Sequence, residues 1–277
     1  MGYIPIILTV VSLCFLGQFA ALRANGGRTI KSESNFHSSI ARIQSSARIQ
    51  ADIMLLGSSR IARLPELRAN GTTVSNLGCD GGSAMITLRA IDRGLLPLSS
   101  VVVVEGNTLL HDLDHRGRDI GEAIESRWFQ LGMVFPGVSS TARPSAFAYS
   151  ALLGRGRAAE FNREGPLLSP GASLEYTGRA MGLSPAGESL VQELAGLLGR
   201  LKGKGSKVMI VMLPPSAPLE SLNHAIPCEV ARVCNIPLLD LTRDLSPDAV
   251  EYTDGVHMAP ASAAAALRSI MTAVESL

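Results

Sequence analysis

The feature that most constrains the fold is an alternation of short apolar runs with longer amphipathic stretches, which begins at Ile53. The apolar runs are Ile53–Leu56, Thr73–Asn76, Val101–Glu105, Lys207–Leu213 and Pro237–Leu241. Short β-branched runs bounded by Gly, Pro or Ser are typical of strands that are buried on both faces. The sequence therefore predicts an α/β fold, a three-layer α/β/α sandwich around a mostly parallel five-stranded sheet with helices on both faces.

The stretches around these strands have helical spacing. Helices are expected over Ala62–Ala69, Ser83–Arg93, Gly187–Lys202, Leu219–Cys234 and Pro260–Ser276. In the last of these, Leu267, Ile270, Met271 and Val274 share one face at a spacing of three and four.

Residues 111–185 break the alternation, because they are rich in Gly, Pro, Ser and Arg and contain no obvious strand. They hold the single tryptophan, Trp128, and two helical pieces at Ile120–Met133 and Ser145–Phe161. A long excursion in a compact α/β domain is usually a lid, a binding insertion or a mobile segment.

The first segment, Ile4 to Leu22, is almost wholly apolar. It approaches the ~20 residues needed to cross a bilayer and exceeds the about 7–15 apolar residues of a cleaved signal. We expect an uncleaved signal anchor over residues 1–24, with a cleaved signal and a secreted protein as the alternative. Residues 25–50 are rich in Gly, Ser, Asn and Arg and are predicted to be a linker or stalk, partly helical near Ile40–Ile49. Residues 51–277 then form the α/β domain.

The charges beside the anchor leave its orientation open. Arg23, Arg28 and Lys31 follow the apolar run, and a simple count of positive charges would keep the rest of the chain in the cytoplasm. Large domains, however, translocate largely regardless of flanking charge. We therefore expect a single-pass protein of the inner membrane with an extracytoplasmic, periplasmic domain.

Composition excludes several classes of protein. With 25 Lys and Arg against 24 Asp and Glu, the net charge is +1, so there is no basic excess of the kind that marks a nucleic-acid-binding protein. The four cysteines are scattered and form no CxxC pair, which argues against a disulfide scaffold or a zinc site. We expect neither a metal nor a cofactor, and favour a solvated loop over a metal site for the His111–His115 cluster.

Ligands of open α/β sheets bind beyond the carboxyl ends of the strands. The residues there include Ser58 and Ser59 after the first strand, a Gly-rich turn over residues 78–82, and Asn107 after the third. An Asp254-x-x-His257 pair precedes the last helix. A hydroxyl, free backbone N–H groups, an amide and a carboxylate–imidazole pair are the groups that acyl transfer requires.

In this order, the four stretches resemble the sequence blocks of the SGNH (GDSL-type) hydrolases, in particular membrane-anchored envelope types. The first block has Ser58 where the family has Asp, and the third has Thr108 where Asp is usual. The second block runs over residues 74–81 and the last over 254–257.

The resemblance implies that Ser59 is the nucleophile, His257 the general base and Asp254 the carboxylate that orients the imidazole. It implies an oxyanion hole formed by the N–H groups of Ser59 and Gly81 and the side-chain amide of Asn107. Elementary chemistry agrees, since a Ser hydroxyl needs an adjacent base to be a nucleophile and His can take up a proton near neutrality. Arg60 is predicted to contact an anionic or sugar group of the substrate.

The implied function is that of a serine esterase or O-acyltransferase acting on ester-linked acyl groups, acetyl groups above all, of cell-envelope or exported polysaccharide. The expected partners are an acylated carbohydrate or small ester, the membrane, and the machinery of envelope polysaccharides. A lipid or short-chain ester is the alternative substrate. The alternative function is a catalytically inactive SGNH-like binding or assembly module, in which the serines only cap a helix and the glycines only form turns.

Overall fold

The computed structural model describes residues 3–24, 32–65, 68–69, 71–161, 182–215, 218, 221–243 and 250–277. Its centre is a sheet of five parallel strands: β1 (Ile53–Gly57), β3 (Thr72–Gly78), β4 (Val101–Glu105), β5 (Lys207–Met212) and β6 (Leu238–Asp240). They lie in the order β3-β1-β4-β5-β6, and a two-residue strand β2 (Arg68–Ala69) pairs antiparallel with the outer side of β3. This is the flavodoxin-like order, in which the chain direction across the sheet reverses at β1.

Helices cover both faces of the sheet. In chain order, the described helices are α1 (Tyr3–Ala24), α2 (Asn35–Ala47), α3 (Ser59–Ala62), α4 (Ala84–Asp92), α5 (Arg118–Glu125), α6 (Arg127–Val134), α7 (Pro144–Phe161), α8 (Pro185–Gly203), α9 (Leu222–Cys234) and α10 (Pro260–Glu275), of which α1 does not pack on the sheet. Alternate residues of each strand enter different cores: Met54 and Leu56 pack under α2, α4, α8 and α9, whereas Ile53 and Leu55 pack under α3 and α10. The predicted three-layer α/β/α architecture is confirmed.

The helix predicted over Ala62–Ala69 is wrong. Helix α3 ends at Ala62, and Arg68 and Ala69 form β2 instead. The cause is Pro65, because the residue before a proline is disfavoured in the helical conformation. Helix α3 has therefore ended before Leu64, and Arg68 and Ala69 pair with β3.

The insertion is not a separate lid over the part that the structure describes. Its predicted helix Ile120–Met133 is two helices, α5 and α6, which are separated by the extended residue Ser126. The Ser126 hydroxyl caps α6 by accepting the Phe129 N–H at 3.2 Å. Ile120, Ile124 and Phe129 are buried in the core shared with α2 and α4, so α5 and α6 belong to one helical layer. Residues 162–181 of the predicted insertion lie outside the described residues.

The linker predicted over residues 25–50 is wrong for its second half. Helix α2 packs on β3, and its apolar residues Phe36, Ile40, Ile43 and Ala47 face the core. Their spacing of four, three and four residues is that of one helical face; the abundant Ser and Arg between them concealed it. Residues 25–31 of the predicted linker lie outside the described residues.

Helix α1 has 22 residues and a mean hydropathy of 2.1 in its most apolar window, and that window is not buried in the body of the protein. By length and composition it fits a membrane anchor or a signal sequence, as the sequence predicts.

Replacement of Ile43 by Ala tests whether α2 is integral to the fold. Ile43 is fully buried, and truncation of such a side chain typically costs about 2–5 kcal/mol of unfolding free energy. We expect a loss of that size in urea denaturation of the detergent-solubilised chain, whereas Val233→Ala, at a half-exposed position on α9, should change stability little. Equal, small effects of both substitutions would mean that α2 is a solvated stalk after all.

Candidate active site

The sheet topology brings the predicted site residues to one rim. Strand β1 lies between β3 and β4 and runs parallel to both. The turn after β1, which carries Ser59, is therefore flanked by the turn after β3, which carries Gly81, and by the turn after β4, which carries Asn107. A crevice at such a reversal point is the usual ligand site of an open α/β sheet.

Ser59, His257 and Asp254 form a hydrogen-bonded chain. His257 Nδ1 lies 2.7 Å from Asp254 Oδ2, and His257 Nε2 lies 2.8 Å from Ser59 Oγ. Since a carboxylate can only accept, Nδ1 carries the proton and Nε2 accepts the Ser59 O–H. The structure thus joins two residues that are 198 positions apart in the arrangement of nucleophile, base and orienting carboxylate.

The Asp254 carboxylate is held ionised by its hydrogen bonds. Its Oδ1 accepts the backbone N–H groups of His257 at 2.8 Å and of Val256 at 3.2 Å, while Oδ2 takes the imidazole N–H. The bonds from the His257 side chain and then from its backbone hold the pKa of Asp254 well below its ordinary value. Because both oxygens are bonded within the 254–257 turn, the carboxylate orients the imidazole without help from another loop.

The structure distinguishes the two adjacent serines. Ser58 is buried, caps α3 by accepting the Arg60 N–H at 3.2 Å, and donates its hydroxyl to Glu105. Ser59 is the first residue of α3 and points its hydroxyl at His257. The helix-capping role that the sequence left open for both serines therefore belongs to Ser58, and Ser59 takes the nucleophile's position.

Glu105 is a buried carboxylate beneath this turn, and the sequence analysis did not single it out as a site residue. Its Oε2 accepts the Ser58 N–H at 2.6 Å and the Ser58 hydroxyl at 2.9 Å, and its Oε1 lies 3.3 Å from the Thr108 hydroxyl. Burial raises the pKa of Glu105, against the opposing influence of these hydrogen bonds and of Arg60. A Cβ on Gly57 would lie 2.4 Å from Glu105 Oε2, so only glycine fits at the end of β1.

The Gly-rich turn after β3, over residues 78–82, presents a free backbone N–H at Gly81. Among the described residues, the N–H groups of Ser59 and Gly81 have no hydrogen-bond partner. Gly78, the other candidate of this turn, is occupied: its N–H bonds to Asn76 Oδ1 at 3.0 Å and its carbonyl accepts from Arg42. Gly81 has a φ of +80°, and a Cβ there would meet no atom within 4 Å, so glycine is needed for the backbone conformation and not for close approach.

Asn107 is buried, and its side-chain amide both accepts from and donates to the backbone of Leu213. Its Oδ1 accepts the Leu213 N–H at 2.7 Å and its Nδ2 donates to the Leu213 carbonyl at 3.0 Å, which fixes the turn after β5. A side-chain amide has two N–H donors. The second Nδ2 hydrogen has no partner in the described part of the chain, so it is available to donate to a bound group.

Arg60 has a structural role in addition to the substrate contact that the sequence predicts, which stays a prediction. Its Nη1 donates to the carbonyls of Leu213 and Pro215, each at 3.0 Å. Arg60 therefore links the start of α3 to the turn after β5. Burial lowers the pKa of its guanidinium, and the charges of Glu105 and Tyr252 act in the opposite direction.

Helix α2 holds the Gly-rich turn after β3 in place, a role that the sequence did not reveal. Arg42 forms an ion pair with Asp80 at 2.8 Å and donates to the Gly78 carbonyl, and the Ser39 hydroxyl accepts the Asp80 N–H at 2.8 Å. Both charged partners are about nine-tenths buried. The helical periodicity of residues 36–47 was the signal that could have located this support.

The acidic and histidine cluster after Asn107 is engaged in structural pairs. Arg89 binds Asp112 through two hydrogen bonds of 2.7 Å, and His111 Nδ1 donates to the Gly82 carbonyl at 3.2 Å. The described residues contain no group of three or more His, Cys, Asp or Glu side chains that could hold a metal ion. Cys79, beside the site, is fully buried, and burial raises the pKa of its thiol to about 12, which suits packing and not nucleophilic chemistry.

The Glu105→Gln substitution tests the buried carboxylate. Because its folded-state pKa is raised above the ordinary 4.5, the folded protein keeps a proton that the unfolded chain has released in the window above that value. The free energy of unfolding then falls as the pH rises through the window. Gln keeps an acceptor for the Ser58 N–H but cannot ionise, so its stability relative to wild type should grow as the pH rises above 4.5. Denaturation curves across pH measure this difference, and parallel pH profiles would contradict it.

Comparison of the chain with protein-family models, with curated proteins and with solved structures finds no match.

Proposed function

We propose that this protein is a serine esterase or O-acyltransferase of SGNH type that works through an acyl-enzyme. The observation that carries the proposal is the continuous hydrogen-bonded chain from Asp254 through His257 to Ser59. Such a chain is the arrangement needed to activate a serine hydroxyl, which is a poor nucleophile at its own pKa.

In the first step, Ser59 Oγ attacks the ester carbonyl while its proton passes to His257 Nε2. The imidazolium that forms is stabilised by the Asp254 carboxylate, which stays ionised because its pKa is lowered. His257 then returns the proton to the departing alcohol, which leaves the acyl group on Ser59. Water, or a sugar hydroxyl activated in the same way, resolves this acyl-enzyme and restores Ser59.

The tetrahedral oxyanion needs preorganised donors, and three are free at this rim. They are the N–H groups of Ser59 and Gly81 and the second amide hydrogen of Asn107. The turns that carry Gly81 and Asn107 lie on either side of the turn that carries Ser59, because β1 lies between β3 and β4. Loss of one such donor typically costs ~3 kcal/mol of transition-state stabilisation. Glu105, Arg42 and Arg60 support these turns and do not contact the reacting atoms.

The proposed setting is the inner membrane, with α1 as an uncleaved anchor and the catalytic domain in the periplasm. The proposed substrates are ester-linked acyl groups, acetyl groups in the first place, on cell-envelope or exported polysaccharide. This substrate class follows from the family resemblance alone. Hydrolysis and transfer share every step up to the acyl-enzyme.

Substitution of Ser59 by Ala tests the nucleophile. Removal of the attacking oxygen should lower turnover of p-nitrophenyl acetate about a thousandfold or more and abolish covalent labelling by a fluorophosphonate probe. The matched control is Ser184→Ala, which removes a hydroxyl that caps α8 by accepting the Gly187 N–H, and it should keep both signals. A folded wild-type protein that neither turns over the ester nor labels at Ser59 would overturn the proposal and favour a binding module.

Substitution of Asp254 by Asn tests the orienting carboxylate. The Asn amide can donate to Nδ1, and the imidazole then carries its proton on Nε2, where it cannot accept the Ser59 O–H. We expect kcat to fall about 10⁴-fold, as loss of the correct tautomer costs in other serine hydrolases, while the thermal unfolding midpoint changes little because Asp254 is exposed. An unchanged kcat would show that His257 is oriented by another group.

A further inference from the structure

An exposed apolar stripe runs along α6 and into the 3₁₀ turn at Pro136–Val138. Its members are Trp128, Leu131, Val134, Phe135 and Val138. Trp128 and Val134 are 77% and 70% exposed, and large exposed apolar side chains grouped on one element mark an interaction surface. The opposite face of α6 is already used, since Phe129 and Gly132 are buried against α2. The stripe is therefore a second apolar face, and no described residue covers it.

This stripe is continuous with α1, the apolar helix. The 3₁₀ turn packs directly on α1, because a Cβ at Gly137 would lie 2.9 Å from the ring of Phe15. Phe15 and Phe19 of α1 are themselves about half exposed. The two apolar surfaces therefore meet at Phe15 and face solvent together.

The position of this contact along α1 determines whether the stripe faces lipid or water. Phe15 lies nine residues before the end of α1 at Ala24, which is about 13 Å at 1.5 Å per residue. A bilayer has a hydrocarbon core of ~30 Å, close to the length of α1. When α1 is in a membrane, the turn packed on Phe15 lies at the depth of the lipid and not above the headgroups.

The stripe has the chemistry of a lipid-facing surface. Two N–H groups at the turn are bonded within it, Val138 N–H to the Phe135 carbonyl at 3.0 Å and Ser139 N–H to the Pro136 carbonyl at 3.2 Å, and such internal pairing lowers the cost of contact with lipid. Trp128 sits beside the exposed Arg127 at the start of α6. Tryptophan and long cationic side chains are the residues that favour the membrane interface.

We propose that the catalytic domain is itself embedded in the bilayer surface through this α6 stripe, next to α1, and does not hang free on a stalk. The partner is the lipid of the leaflet from which α1 emerges. This inference rests on the proposed role of α1 as an anchor and is independent of the chemistry proposed for Ser59. It would hold the active-site rim at a constrained height and orientation over the membrane.

Trp128 is the only tryptophan in the chain, so its fluorescence reports on the stripe without labelling. The full chain is reconstituted into phosphatidylcholine vesicles, with and without brominated acyl chains. We expect a blue-shifted emission that aqueous acrylamide quenches poorly, and a roughly twofold or greater loss of emission in brominated lipid, because an interfacial indole contacts the acyl chains.

The matched control carries Trp128→Phe together with Val233→Trp, which moves the reporter to α9, where the native valine is half-exposed. Its emission should be quenched by acrylamide and unaffected by bromine. A further variant, Phe135→Glu, should shift the Trp128 emission of the otherwise native chain towards the red.

Each other result overturns the proposal in a distinct way. If the chain floats with vesicles but Trp128 is quenched only by acrylamide, α1 is an anchor and the stripe is exposed to water outside the bilayer. If Trp128 is shielded from both quenchers, a protein partner or a second copy covers the stripe. If the chain does not float, both the anchor and the embedded stripe are wrong. Fluorophosphonate labelling of Ser59 is unaffected by any of these outcomes and tests the enzyme separately.

Discussion

The placement of β1 between two parallel neighbours is the constraint on which the site depends. Hydrogen bonding to β3 on one side and β4 on the other fixes the height at which all three strands end. The turns that follow must then share one rim, so Ser59 is flanked by the free N–H of Gly81 and by the amide of Asn107. The 254–257 turn, which precedes α10, places His257 at the same rim, within hydrogen-bond distance of Ser59.

Glu105 binds the two hydroxyl residues that stand where the resemblance to the SGNH hydrolases led us to expect carboxylates. Ser58 and Thr108 stand where the resemblance would have carboxylates, and both place their hydroxyls against the single buried carboxyl of Glu105. Additional carboxylates at these positions would add like charges to a site that burial already makes costly for one. One acidic side chain from β4 therefore supports the turn that carries Ser59, while the hydroxyls of Ser58 and Thr108 serve as donors. The two departures leave the hydrogen-bonded chain of Asp254, His257 and Ser59 in place.

Supports from distant segments surround the residues of the proposed active site. Arg42 and Ser39 of α2 hold the turn that carries Gly81, and Arg60 and Asn107 hold the turn after β5. Preorganised donors are effective because they do not reorganise during the reaction, and such supports keep them in place. The α6 stripe adds a further proposed constraint, since it would fix the orientation of the whole rim relative to the membrane.

The sequence by itself determined the layered α/β architecture, the strands and the apolar first helix, because burial on both faces and membrane length leave local signatures in hydropathy. Through the resemblance of its blocks to those of the SGNH hydrolases, it also predicted the three residues of the hydrogen-bonded chain. Only the tertiary structure assigned the helix cap to Ser58, revealed Glu105 and Arg42 as supports, and turned the supposed linker into α2. Most of those facts depend on contacts between residues far apart in the chain, and neither composition nor local periodicity records which distant backbone atom a side chain will bind.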